Sequence, residues 1–259
     1  MLTHGIDPAD ISVSFELFPP KTPEAERNLD RAVDELNALS PGYFSVTYGA
    51  GGSTQDRTRG VVDRVMRRTG RPVAHHLTCV EATRAEIDAL ARDLWSSGIR
   101  KIVALRGDPQ GGEAYTPPRD GYPYAADLVE GLRRVADFDI AVAAYPEVHP
   151  QAKGPQADLD NLRRKLDAGA HRAITQYAFD TDEVLRFVDR ARAAGIDAPI
   201  VPGIMRVSHF GGLKRFSEKC GARIPRWLAE MFDGLDDAPE TRAMVAAAVA
   251  TEQCRRLAE

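Results

Sequence analysis

The chain has 259 residues, with 34 basic against 38 acidic side chains and a formal net charge of −4. At 43% hydrophobic residues it carries enough apolar material for a sizeable core, which excludes intrinsic disorder. The mild negative balance argues against a general nucleic-acid binder, which needs a basic field to neutralise phosphates. The longest run without a polar residue, Ala243–Ala250, is far too short to span a bilayer. No basic-then-apolar segment opens the chain, so a cytoplasmic protein without membrane contact is expected. Cys79, Cys220 and Cys254 are odd in number and unclustered, which disfavours a disulfide framework or a zinc site.

Seven β-branched or aromatic runs follow one another: Ile11–Leu17, Tyr43–Thr47, Val73–Thr78, Ile99–Leu105, Ile140–Tyr145, Ala173–Gln176 and Pro199–Val201. Each is followed by a turn and a helix-period stretch, and equivalent points in successive runs lie 27 to 38 residues apart. That beat predicts a parallel sheet with crossover helices. Thr22-Pro23 and Thr83 read as helix starts, and Ser53-Thr54-Gln55-Asp56 resembles a capping box. Gly70, Gly98, Gly169 and Gly195 fall where helices should stop. No linker divides the chain, so residues 1–259 read as one domain. No G-x-G-x-x-G fingerprint follows the first strand, which favours an α/β (β/α)₈ TIM barrel over an open doubly wound sheet. The 58 residues after Val201 read as helix around Phe210–Cys220, Pro225–Phe232 and Glu240–Ala258, so the eighth βα unit is missing from this chain.

In a parallel barrel, reactive residues project from the C-terminal strand ends. Those positions hold Glu16, Thr47 to Ser53, His76, Arg106-Gly107-Asp108, Tyr145 to His149 and Gln176. Glu16 lies among apolar neighbours in Ser14-Phe15-Glu16-Leu17-Phe18-Pro19-Pro20, where desolvation should raise its pKa and suit it to general-acid work; the competing reading is a Glu paired with an arginine. Gly49-Ala50-Gly51-Gly52-Ser53 is either a ligand-approaching loop at a helix N-terminus or an ordinary flexible turn. Arg106-Gly107-Asp108-Pro109 is either a ring-edge contact or a plain turn. His76 and His149 show no metal-ligand spacing, and a lone histidine is more often structural. Asn161, Arg164 and Lys165 share one helix face, as a solvated basic stripe or a phosphate clamp. No nucleophile elbow or activated cysteine is present, so an organic cofactor with acid assistance fits better than covalent or metal chemistry.

The blocks Phe15-Glu16-Leu17-Phe18-Pro19-Pro20-Lys21, Phe44 to Ser53, His76-Leu77-Thr78-Cys79, Leu105 to Pro109 and Tyr145 to Pro150 resemble methylenetetrahydrofolate reductase of the bacterial single-domain type. The resemblance runs from about Val13 to the end of the chain, in order. It implies an oxidoreductase of one-carbon metabolism and methionine biosynthesis. Such an enzyme reduces 5,10-methylenetetrahydrofolate to 5-methyltetrahydrofolate by ping-pong hydride transfer from NADH or NADPH through FAD. By resemblance, Glu16 is the general acid and Asp108 a catalytic carboxylate near flavin and pterin. Glu16, Thr47, Asp108, Gln176 and Phe216 are then expected to bind substrate, with Phe216 packing on the alternating ligands. For FAD the resemblance implies Thr47, Tyr48, Ala50, His76, Arg106, Gly107, Asp108, Tyr124 and Ala125, and further along Tyr145, His149, Ala152 and Asp158. Asn161, Arg164 and Lys165 would serve the pyrophosphate, no metal is expected, and a homo-oligomer is.

The sequence departs from the family pattern at three places. It stops before the eighth unit, which carries a folate-binding residue, so a shortened version of a longer protein, or a gap filled by a neighbour, is expected. Arg206 stands where proline is usual, and Gly211-Gly212 replaces polar side chains near the folate. These motivate a second reading, an idle flavin- or folate-binding relative acting as a partner or regulatory subunit. Retention of Glu16 and Asp108 favours the enzyme. A barrel lyase or aldolase would want a Schiff-base lysine or a metal cluster at the strand ends, and neither is visible.

Overall fold

The computed structural model describes residues 11–48, 55–109, 111 and 114–258. Strands and helices alternate as β1 (Ser14–Leu17), α1 (Pro23–Asn37), β2 (Tyr43–Val46), α2 (Gln55–Thr69), β3 (Val73–Thr78), α3 (Arg84–Ser96) and β4 (Lys101–Leu105). They continue as α4 (Ala125–Val135), β5 (Asp139–Ala144), α5 (Pro155–Asp167), β6 (Arg172–Thr175), α6 (Thr181–Ala193) and β7 (Ile200–Val201). Hydrogen-bonded neighbours follow chain order from β1 to β7, and the strand registers are parallel. An open doubly wound sheet would reverse that order, so this is the barrel-type arrangement. Among the described residues there is no eighth strand. The chain ends instead in α7 (Phe210–Cys220), α8 (Arg226–Met231), a 3₁₀ turn (Leu235–Asp237) and α9 (Pro239–Ala258).

Local chemistry sets the boundaries. The Ala25 N–H donates to Thr22 Oγ1 at 3.1 Å, with Pro23 in the first turn of α1. At α3 the Glu86 N–H donates to Thr83 Oγ1 (3.3 Å) while the Thr83 N–H donates to Glu86 Oε2 (2.8 Å). Such a cap is worth about 1 kcal/mol. Gly70, Gly98, Gly169 and Gly195 all adopt positive φ where their helices stop. The first strand is shorter than its apolar run. Ile11 and Val13 are exposed, and pairing begins only at Ser14 opposite Tyr43. Ile99 likewise belongs to the turn closing α3, where its N–H donates to Leu94 O at 3.0 Å. The Ser53-Thr54 half of the expected capping box lies outside the described residues.

Contacts gather in two units. The first is Ser12–Val142 with Arg164–His171. Its core includes Phe44, Leu77, Ile87, Leu94 and Ile102, all fully buried, each worth about 1.5–3 kcal/mol relative to exposure. On its surface Arg68 pairs with Asp34 at 2.5 Å between α2 and α1, and Arg59 ties α2 to Asp93 of α3. Exposed pairs of this kind add about 0–1 kcal/mol each.

The second unit comprises Ala143–Arg163 and Arg172–Glu259. Phe179, Val207, Phe210, Leu228, Phe232 and Ala246 form its core, with the Phe210 and Phe232 rings stacked at 5.6 Å. Buried Gln253 pins α9 by donating from Nε2 to the Ala178 and Phe179 carbonyls at 3.0 and 3.2 Å. Among the described residues no helix is long and apolar enough to cross a membrane.

Candidate active site

In the first unit Glu16 and His76 meet. Glu16 Oε2 lies 3.6 Å from His76 Nε2, just beyond hydrogen-bond length. The group beside Glu16 is thus a histidine, not the arginine of the competing reading. His76 is buried and its Nε2 has no hydrogen-bond partner. Burial, and then the neighbouring His75, push the His76 imidazole down to about 3, so it is neutral. Desolvation raises the Glu16 carboxyl pKa from its usual value, although 47% of the side chain is solvent-accessible. The imidazole is neutral, so the two side chains are neighbours rather than an ion pair. At β2 the buried Thr58 hydroxyl donates to Thr47 O at 3.1 Å and fixes the strand end from which Tyr48 follows.

The loop after β4 is built around Arg106. Its Nη2 donates to Asp108 Oδ1 at 2.7 Å and its Nε to Gly107 O at 2.9 Å. The guanidinium lies 4.4 Å over the Tyr115 ring, which in turn sits 5.7 Å from Tyr124 at the start of α4, the turn that also holds Ala125. Asp108 is 84% exposed, so its second oxygen faces solvent or a ligand. Gly107 has φ +82, and a Cβ there would meet Val80 Cγ1 at 2.6 Å and Thr78 Cβ at 2.8 Å. Only glycine lets the chain lie this flat against β3. Cys79 is buried, its Sγ donates to Arg106 O at 3.5 Å, and burial pushes the thiol up to about 12. It is no nucleophile.

In the second unit the Tyr145 and His149 rings meet edge to face at 4.6 Å. The His149 N–H donates to Asp158 Oδ2 at 2.9 Å, and the Gln151 N–H donates to His149 Nδ1 at 3.0 Å. Nδ1 is thus an acceptor, which places the proton of the neutral ring on Nε2. Ala152 closes the same turn through its N–H to His149 O at 2.8 Å. Val148 carries φ +68, rare for a β-branched residue. Beside it the Glu147 carboxylate, only 8% exposed, accepts from Arg223 Nε at 3.0 Å and from the Arg223 N–H at 2.8 Å. Gln176 lines a crevice with Tyr145, Glu147, Tyr177 and Cys220. Phe216 on α7 stacks on Tyr177, with ring centroids 6.0 Å apart.

Helix α5 carries Asp158, Asn161, Arg164 and Lys165. Lys165 is buried while Arg164 is exposed, so the face they share is not simply a solvated stripe. Ala50, with the rest of the glycine-rich loop through Thr54, lies outside the described residues. Among the described residues no cluster of three metal-ligating side chains occurs. The sequence reading missed Tyr115, Arg223 and the stacking of Tyr177. Only Tyr115 left a trace, as an aromatic in the otherwise polar loop before Gly121.

The methylenetetrahydrofolate reductase family profile matches residues 2–259. A 5,10-methylenetetrahydrofolate reductase of Escherichia coli (strain K12) is 53% identical over 249 residues, covering 95% of this chain and 82% of that protein. A methylenetetrahydrofolate reductase (NADH) of Zea mays is 37% identical over 256 residues, covering 94% of this chain and 43% of that protein. Among solved structures, an uncharacterised Clostridium thermocellum protein described as binding two copies of 5-methyl-5,6,7,8-tetrahydrofolic acid matches with a TM-score of 0.68. At 16% identity, over 94% of this chain and 82% of that one, this likeness speaks for the fold alone. On its sequence, this chain belongs to the methylenetetrahydrofolate reductase family of oxidoreductases.

Proposed function

We propose that this chain reduces 5,10-methylenetetrahydrofolate to 5-methyltetrahydrofolate, with reduced nicotinamide as donor, FAD as cofactor and Glu16 as general acid. The observation that carries the reading is Glu16, its carboxyl pKa raised by desolvation, 3.6 Å from neutral His76, whose Nε2 is buried without a protein partner. A buried, unpaired ring nitrogen at a strand end suits a bound heterocycle, and Gly107 lets the chain lie flat beside it. The residues present therefore fit a flavin. In the first unit His76, Thr47, Tyr48, Arg106, Gly107, Asp108, Tyr124 and Ala125 would hold it. By the family resemblance, Tyr145, His149, Ala152 and Asp158 are further candidates for the flavin, and Asn161, Arg164 and Lys165 of α5 for its pyrophosphate.

When bound, the flavin supplies a hydride carrier between two substrates that visit in turn. Opening the folate's bridging methylene to an electrophilic iminium requires a proton at N10. Glu16 is the group assigned to supply it, and desolvation raises its carboxyl pKa in the direction that suits an acid. Neutral His76 takes no part of the proton and leaves Glu16 the only acid of the pair. Arg106 holds one oxygen of Asp108, leaving the other for pterin N–H donors, where the carboxylate also favours the cationic iminium. Glu16→Gln keeps the shape and removes the acid. It should spare flavin reduction by reduced nicotinamide and abolish folate reduction in stopped-flow half-reactions; equal loss of both would refute the role.

A further inference from the structure

Tyr177 follows Gln176 at the end of β6, and its ring is buried between two aromatics. It stacks on Phe216 with an interplanar angle of 13°, and Phe179 stands against it at 5.6 Å and 65°. Its hydroxyl hydrogen-bonds Ser217 Oγ at 3.0 Å, and Ser217 is fully buried on α7 beside Phe216. The two buried hydroxyls satisfy each other. Polar pairs of this kind fix register and rotation more than they add stability. Here the bond locks the turn of α7 that carries Phe216 against the end of β6. Phe216 remains 39% exposed with one face covered by Tyr177, which leaves the other face for a planar ring.

We propose that Tyr177 and Ser217 are a positioning pair that sets the ring plane of Phe216 and thereby how tightly the planar nicotinamide and pterin rings bind. This rests on the reading of Phe216 as the aromatic that packs on both substrates. Neither hydroxyl touches a reacting atom. Both act through Phe216.

Tyr177→Phe, Ser217→Ala and the double variant, each purified as the flavin-loaded enzyme, test the pair. Either single change orphans a buried hydroxyl, and should raise KM for both reduced nicotinamide and methylenetetrahydrofolate about fivefold with kcat within about twofold. Either single change already breaks the bond, so the double variant should raise both KM values about as much as one single change does and no further. Thermal midpoints that fall while KM stays unchanged would reduce the pair to a structural tether and overturn the proposal. A double variant as impaired as the two singles combined would also overturn it. Equilibrium binding of 5-methyltetrahydrofolate, followed by fluorescence quenching, reads the same pattern without turnover. An inactive wild type that shows this binding pattern would sink the reductase reading and keep the pair. A wild type that neither turns over nor binds the folate would overturn both.

Discussion

Acidifying the protein from pH 7 to pH 5 should destabilise it by about 4 kcal/mol through two adjacent histidines of β3. His75 and His76 are buried; neither nitrogen of His75 has a hydrogen-bond partner, nor does His76 Nε2. Burial pushes His75 down to about 4 and His76 down to about 3, from 6.5 in an unfolded chain. Both folded values are depressed, so below pH 6.5 the unfolded chain binds protons that the folded chain refuses. Stability is full above that pH and is lost as the pH falls towards 4 and 3. At pH 5 each histidine accounts for about 2 kcal/mol, against a total for a domain of about 5–15 kcal/mol. Urea unfolding followed by circular dichroism at pH 7, 6 and 5 measures the slope. His75→Phe keeps the ring volume and removes one of the two protons, so its loss between pH 7 and 5 should fall to about 2 kcal/mol. An unchanged slope in that variant would refute the reasoning.

Glu16 titrates in the opposite sense. Its raised pKa adds stability at low pH that is lost as the pH rises through it, so Glu16→Gln should be more stable than the wild type at pH 8 and indistinguishable at pH 4, by thermal melts. Gly107→Ala forces a side chain onto φ +82 and into Val80 and Thr78, and should cost about 2–4 kcal/mol in urea unfolding. Asp108→Asn removes the carboxylate that faces outward beside Arg106; it should slow the folate half-reaction by about tenfold or more and leave nicotinamide oxidation nearly unchanged, as single-turnover absorbance would show.

Local signals carried most of the fold. Thr22-Pro23, Thr83 and the glycines at Gly70, Gly98, Gly169 and Gly195 are short-range devices, and each marks its helix end as expected. Apolar runs overstated strands where burial, not propensity, decides pairing, as at exposed Ile11 and Val13. The rise in the Glu16 pKa was legible from its apolar neighbours, but His76, sixty residues on, was not readable as its companion. The same holds for Arg223, which reaches Glu147 across 76 positions, and for Tyr177 with Ser217 across 40. Packing brings these pairs together, and no spacing in the sequence encodes them.

The proposed reaction turns on a carrier that accepts hydride from one substrate and gives it to another. Its most direct test is the visible spectrum of the purified, FAD-supplemented protein under anaerobic conditions. Reduced nicotinamide should bleach a flavin spectrum, and subsequent 5,10-methylenetetrahydrofolate should restore it in the wild type but not in Glu16→Gln. A protein that takes up no flavin, or one that bleaches and is never reoxidised by the folate, would contradict it.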